Sequence, residues 1–68
     1  MSVDLNIRAV KVRMAEKGLN GTQAAKLAQV SRQNLCTILK RGSCSIASAR
    51  KLAFALDMTM DEIIAKED

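Results

Sequence analysis

Arg32, Gln33, Cys36 and Thr37 stand at spacings that a helix would turn to one side, with Lys40 one turn further on. Their chemistry is that of donors and small apolar groups suited to base edges. A guanidinium fork matches guanine O6 and N7, and a carboxamide matches adenine N6 and N7. Thr37 offers a methyl to thymine or a hydroxyl to a base, and Cys36 is of similar size. The plainer reading makes Arg32 and Gln33 solvated residues of a first helical turn, and Cys36 a small residue tolerated there. Arg32 has a second reading as a phosphate ligand. Thr22, Gln23, Ser31, Asn34, Lys40, Arg41 and Ser43 carry the hydroxyl, amide and cationic groups that hold phosphate oxygens. Lys40 and Arg41 would also simply offset the negative end of a helix.

Charge along the chain agrees with a polyanionic partner. No acidic residue falls between Glu16 and Asp57, whereas Lys26, Arg32, Lys40, Arg41, Arg50 and Lys51 all do. Residues 52–68 reverse the balance, with one basic and five acidic groups. The formal net charge of +4 therefore conceals a basic middle and an acidic end. Such a separation orients a small protein towards a partner, although a merely solvated basic face produces the same pattern.

The elements that must hold these residues are short helices. A first helix is expected from Asp4 to Lys17, closed by Gly18, with Val3, Ile7, Val10 and Met14 as its apolar stripe. Leu5, Ala9 and Val12 widen that stripe, and Arg8, Lys11 and Arg13 form a solvated face. The second helix starts at Asn20, which forms a capping pattern with Gln23, or at Thr22. Ala24, Ala25, Leu27 and Ala28 give it a low-profile face on which another helix can cross closely. After a Gln29-Val30-Ser31 corner, Ser31 caps a third helix that runs to about Lys40, with Leu35, Ile38 and Leu39 inward and Gly42 closing it. Ser45 caps a fourth through Leu56, built on Ile46, Ala49, Leu52, Ala53 and Leu56. Thr59 and Glu62 box the start of a fifth, and the last four residues are expected to fray.

Sixty-eight residues make one small domain, 1–68, whose core has little stability to spare. Phe54 is the sole aromatic, so the core must come from aliphatic residues, methionines and alanines. Met58 and Met60 suit either that core or a dimer contact. Strand signals are absent, so the expected class is a compact all-α bundle of five helices. Cys36 and Cys44 with no histidine cannot furnish a zinc site, and no cofactor or metal is expected. No leader or long apolar run is visible, which points to free thiols, a cytoplasmic location and no membrane. With no histidine, few acids and no Gly-rich phosphate loop, no nucleophile–base pair can be drawn, so an enzyme is not expected and no small-molecule substrate is implied.

In this order and spacing the chain resembles the Cro and lambda-repressor family of helix-turn-helix regulators, also called the xenobiotic-response-element type. The likeness spans essentially the whole sequence. It rests on Ala25 four residues before the corner, Val30-Ser31-Arg32 through it, Leu35 and Ile38 behind it, and Gly42 after it. Lys51 to Leu56 and Met60 to Ile64 look like the family's last two helices. The resemblance implies a five-helix domain with its helix-turn-helix at about residues 20–41. It implies a prokaryotic or phage-encoded transcription regulator, commonly a repressor, that binds double-stranded DNA as a homodimer on an inverted repeat. An alternative is an antitoxin-like module that contacts a partner protein through the acidic tail or the Met58-to-Ile64 face and binds its own promoter.

Three departures stand out. Gly21 occupies the place of a phosphate-holding Gln, leaving Thr22, Gln23 or backbone N–H groups to make that contact. Gln29 stands where glycine is usual, at a cost of about 1–2 kcal/mol if the backbone there is left-handed. Met14 and Leu39 replace an Arg–Glu pair, an exchange that is often neutral or stabilising.

Overall fold

Asn6, Asn20, Ser31, Ser45 and Thr59 each precede a helix, and the side chain of each accepts the backbone N–H three residues on. These caps satisfy a donor that has no partner within the helix. The computed structural model describes residues 2–65. In chain order it contains β1 (Ser2–Asp4), α1 (Ile7–Glu16), α2 (Gly21–Ala28), α3 (Arg32–Arg41), β2 (Ser43–Ser45), α4 (Ile46–Ala55) and α5 (Met60–Ile63). Asn20 and Gln23 form the reciprocal capping box, with Asn20 rather than Thr22 as the cap, and Thr59 and Glu62 form the second.

Helix ends are equally local. Gly18, Gln29 and Asp57 all have left-handed backbone, with φ of 67°, 58° and 54°. At each, the following N–H reaches back five residues: Leu19 to Met14, Val30 to Ala25 and Met58 to Ala53. This closing pattern satisfies the last carbonyls of α1, α2 and α4.

One apolar cluster joins all five helices. Val10, Leu35, Leu52, Leu56 and Ile63 are its largest fully buried side chains. Ala24, Ala25 and Ala28 of α2 and Ala49 and Ala53 of α4 are buried as well, and small side chains on both helices are what allow close approach. The Cα radius of gyration of 10.5 Å matches the roughly 11 Å of a compact chain of this length. No helix among the described residues is long and apolar enough to cross a membrane. Cys36 and Cys44 are both free, and burial pushes the Cys44 thiol above its ordinary pKa.

The expectation of helices without strands needs correcting. β1 and β2 pair antiparallel, with Ser2, Val3 and Asp4 opposite Ser45, Cys44 and Ser43. Strands of three residues are too short to display an alternating pattern, and their partner lies forty residues away. The same segment forms a bridge from Leu5 to Ile64, and Ala65 N–H donates to the Asp4 carbonyl at 3.0 Å. Ala65 is therefore held, and the rest of the expected frayed end, 66–68, lies outside the described residues.

Because residues 2–5 are extended, α1 begins at Ile7 and not at Asp4. Leu5 and Val10 then occupy the two positions of a hydrophobic staple, and both are buried. Three residues assigned to apolar faces are instead exposed: Val12 at 51%, Leu27 at 52% and Ile46 at 43%. Met14 and Leu39 are half-buried against the core, and Met58 is buried in it, with Met60 packed alongside.

Arg13 is not a solvated residue. Its Nη1 donates to the carbonyls of Leu56 at 3.1 Å and Asp57 at 2.8 Å, and its Nη2 donates to Glu62 Oε2 at 3.3 Å. Lys17 Nζ meets Asp57 Oδ2 at 2.8 Å beside it. Arg13 of α1 and Lys17 at its C-cap thereby hold the turn between α4 and α5. The Lys17 hydrogen bond keeps the Asp57 carboxyl below its ordinary pKa, and the Thr59 backbone N–H does the same for Glu62. Both groups bind protons more weakly folded than unfolded. Their contribution is complete above the ordinary carboxylate pKa of about 4 and is lost as pH falls through the lower folded values. Melting temperature is expected to drop on acidification below about pH 4–5. The Asp57→Asn, Glu62→Gln double variant should show a shallower acid slope, and identical slopes would refute the linkage.

Candidate nucleic-acid interface

A left-handed residue and a capped serine set the direction of α3. Gln29 closes α2 at φ 58° and ψ 39°, Val30 packs half-buried against the core, and Ser31 returns the chain to extended backbone before α3 begins. Ser31 Oγ accepts from Asn34 N–H at 3.0 Å, fixing the first turn. Gly42, at φ 71°, ends the helix, and its carbonyl accepts from Leu5 N–H at 2.8 Å. Both ends of α3 are thus held, and Leu35 and Ile38 bury its inner side.

Glycine at position 29 would adopt this backbone freely. Relief of about 1–2 kcal/mol of left-handed strain exceeds the extra chain entropy, about 0.5–1 kcal/mol, that glycine loses on folding. Gln29→Gly is expected to raise stability by roughly 0.5–1 kcal/mol in denaturant titration. A loss of stability would mean that the Gln29 side chain contributes more than the strain costs.

The outer side of α3 is open. Arg32, Gln33, Asn34, Cys36, Thr37, Lys40 and Arg41 are all exposed. Arg32, Cys36 and Lys40 form one row at a spacing of four, and Gln33 and Thr37 form the row beside it. From Arg32 to Lys40 the ridge rises about 12 Å, close to the width of a duplex major groove. All four residues expected to meet bases lie on this ridge. Thr37 Oγ1 donates to the Gln33 carbonyl at 3.0 Å, so its hydroxyl hydrogen is used within the helix. Its methyl and lone pairs are what remain for a ligand.

The candidate phosphate groups fall into two sets. At the start of α2, Thr22 and Gln23 are exposed. Gln23 Oε1 accepts from Asn20 N–H at 3.0 Å, which leaves its amide NH₂ as the outward donor. The cap takes up Gln23 N–H, and the earlier N–H groups of Gly21 and Thr22 have no acceptor in the helix, a geometry that favours an anion. Around α3, Ser31, Asn34, Lys40 and Arg41 are exposed. Ser43 differs from them. It is half-buried in β2 directly opposite Asp4, so strand pairing sets a carboxylate-bearing residue across from it. That arrangement opposes a phosphate at Ser43, and nothing near residue 43 in the sequence announces it.

Charges are separated in space as well as in sequence. Every ion pair among the described residues uses Arg13 or Lys17, with Glu16, Asp57 or Glu62 as the acid. Lys26, Arg32, Lys40, Arg41, Arg50 and Lys51 take part in none of them.

Comparison with protein-family models, curated proteins and solved structures found no match to this chain. The chemistry of the α3 ridge therefore stands on its own geometry. Among the described residues no cluster of three or more metal-ligating side chains occurs.

Sequence reasoning missed one feature of the surface. Phe54 lies 84% exposed on α4, next to Leu27 of α2. The signal was present, since Phe54 falls off the stripe made by Ala49, Leu52, Ala53 and Leu56.

Proposed function

We propose that this chain is a sequence-specific, duplex-DNA-binding transcription regulator of the Cro and lambda-repressor-like helix-turn-helix type, acting as a repressor. The observation that carries the reading is the α3 ridge. An arginine and a glutamine open a capped helix whose inner side is buried, whose outer side is exposed, and whose cations have no carboxylate partner among the described residues. In this reading α2 and α3 are the two helices of the motif and residues 1–68 act as one DNA-binding domain. Arg32 and Gln33 read base edges from the first turn, and Cys36 and Thr37 offer small apolar contact one turn on. Thr22, Gln23, Ser31, Asn34, Lys40 and Arg41 fix the register through phosphates, and Ser43 is the weakest member of that set.

The chain binds as a homodimer, so the two-fold of the protein meets that of an inverted repeat with half-sites about 34–36 Å apart. A bacterial or phage-derived cytoplasm is the setting for such a regulator. Selection of bound duplexes from a random pool at physiological salt tests the whole reading. A palindromic motif is expected; a pool that remains random after repeated rounds would reject it.

Lys40→Ala or Arg41→Ala is expected to weaken binding to all sequences alike. Each lost phosphate contact should reduce the slope of log K against log salt by about one. A loss confined to the selected sequence would instead assign that side chain to a base.

A further inference from the structure

Leu27 and Phe54 border an open groove of about 470 Å³ between α2 and α4, lined further by Ala28, Ala47, Arg50 and Lys51. On α4, Ala47, Arg50, Lys51 and Phe54 recur at spacings of three, one and three, which is one helical face. That face is distinct from the buried one of Ala49, Leu52 and Ala53, and the core closes without it. The largest apolar side chain of the protein and a leucine thus share a surface that the fold itself does not need. Isolated exposed apolar residues are ordinary, but adjoining ones around a groove mark a contact site.

We propose that this groove docks an acidic amphipathic helix of a partner protein, with Leu27 and Phe54 against its apolar stripe and Arg50 and Lys51 against its carboxylates. Openness argues against a small molecule, which binds by burying most of its own surface. Walls that are 52% and 84% exposed cannot enclose one. A groove between two helices suits a third helix, held through residues at i, i+3 or i+4, and i+7.

Charge selects the kind of helix. Arg50 and Lys51 join none of the ion pairs among the described residues, and residues 17 to 56 contain no acid to serve them. Both cations are therefore open to carboxylates that a partner brings. A second copy of this chain is a poor occupant, because a two-fold contact centred on Phe54 sets Arg50 and Lys51 against their own equivalents. Single-stranded nucleic acid would use cations and stacked aromatics. Here Phe54 is the one aromatic of the lining, and although Gln29 adds a carboxamide at the rim, Leu27, Ala28 and Ala47 offer bases no second stacking platform. The surface shares no lining residue with α3, and the inference does not depend on DNA binding.

Panning a display library of random peptides, each about four helical turns long, against the whole protein tests the proposal. Each round is counter-selected on Phe54→Ala. Enriched peptides are expected to be net acidic with apolar residues at helical spacing. Synthetic copies should bind Phe54→Ala about tenfold or more weakly. The Arg50→Glu, Lys51→Glu double variant should weaken them further, most of all at low salt. Neutral or basic winners, or no Phe54-dependent winners, would overturn the proposal. So would tighter Phe54-dependent binding of an oligothymidylate, or a monomer–dimer equilibrium that Phe54→Ala abolishes. All three positions are exposed, so unchanged melting temperatures are expected and keep these outcomes separate from misfolding.

Discussion

Leu35→Ala is expected to destabilise the protein by about 2–5 kcal/mol, comparable with the roughly 3–5 kcal/mol that a single core of this size supplies. Leu35 is 1% exposed and lies in the middle of α3, on the side away from Gln33 and Lys40. Its side chain is among the five largest that are fully buried. Truncation removes its transfer free energy and leaves a cavity, since the alanine-rich surroundings cannot fill it by rotamer changes. Circular dichroism during thermal or urea unfolding reads the effect directly. Helical signal already reduced at room temperature is expected, together with a lower denaturation midpoint. DNA binding should fall in the same proportion, because a groove-reading helix acts only while its inner side is held. A wild-type midpoint would mean that α3 does not depend on this contact.

The second large effect concerns recognition and should leave stability untouched. Arg32→Ala combined with Gln33→Ala is expected to abolish sequence discrimination while retaining general affinity for duplexes. A bidentate side chain–base pair discriminates by about 1–3 kcal/mol, so removing two reduces the specificity ratio by roughly 2–6 kcal/mol. That corresponds to a factor of about thirty to more than ten thousand. Both side chains are exposed, and neither makes a hydrogen bond through its side chain within the protein among the described residues. Competition between the selected duplex and an unrelated one, at a single salt concentration, is the measurement. A preserved preference in the double variant would move base reading elsewhere on the protein. A parallel loss on both duplexes would assign the two residues to phosphates.

The starts of four of the five helices were legible in the residues themselves. Ser31, Ser45 and Thr59 cap where they were expected to cap, and Asn20 is one of the two caps expected for α2, because a cap is a contact across three residues and needs nothing distant. The inward turn of Leu35 and Ile38 was legible for the same reason, and so was the outward row of Arg32, Cys36 and Lys40. The start of α1 was not. Asp4 and Leu5 satisfy a helical pattern, yet pairing with residues 43–45 and with Ile64 draws them into extended backbone. Strand hydrogen bonds with partners forty and sixty residues away outweigh a weak local preference, and no window of sequence contains both partners.

Arg13 and Leu27 make the same distinction from opposite sides. Arg13 sits in a row of cations that reads as a wet helix face, and only the folded chain brings the carbonyls of Leu56 and Asp57 to its guanidinium. Leu27 stands among buried alanines, and only the packing of the folded chain leaves it outside. Periodicity reports that a helix has an apolar side; it does not report how wide a strip the neighbour covers. The sequence by itself determined that the chain is helical, the caps of α3, α4 and α5, the place of the corner and the row of side chains on α3, since each depends on contacts within one or two turns. The tertiary structure alone decided the ribbon opposite Ser43, the anchoring of the α4–α5 turn and the apolar groove beside Phe54. Those depend on which distant segments meet, and chain closure over tens of residues leaves no periodic trace in the order of the amino acids.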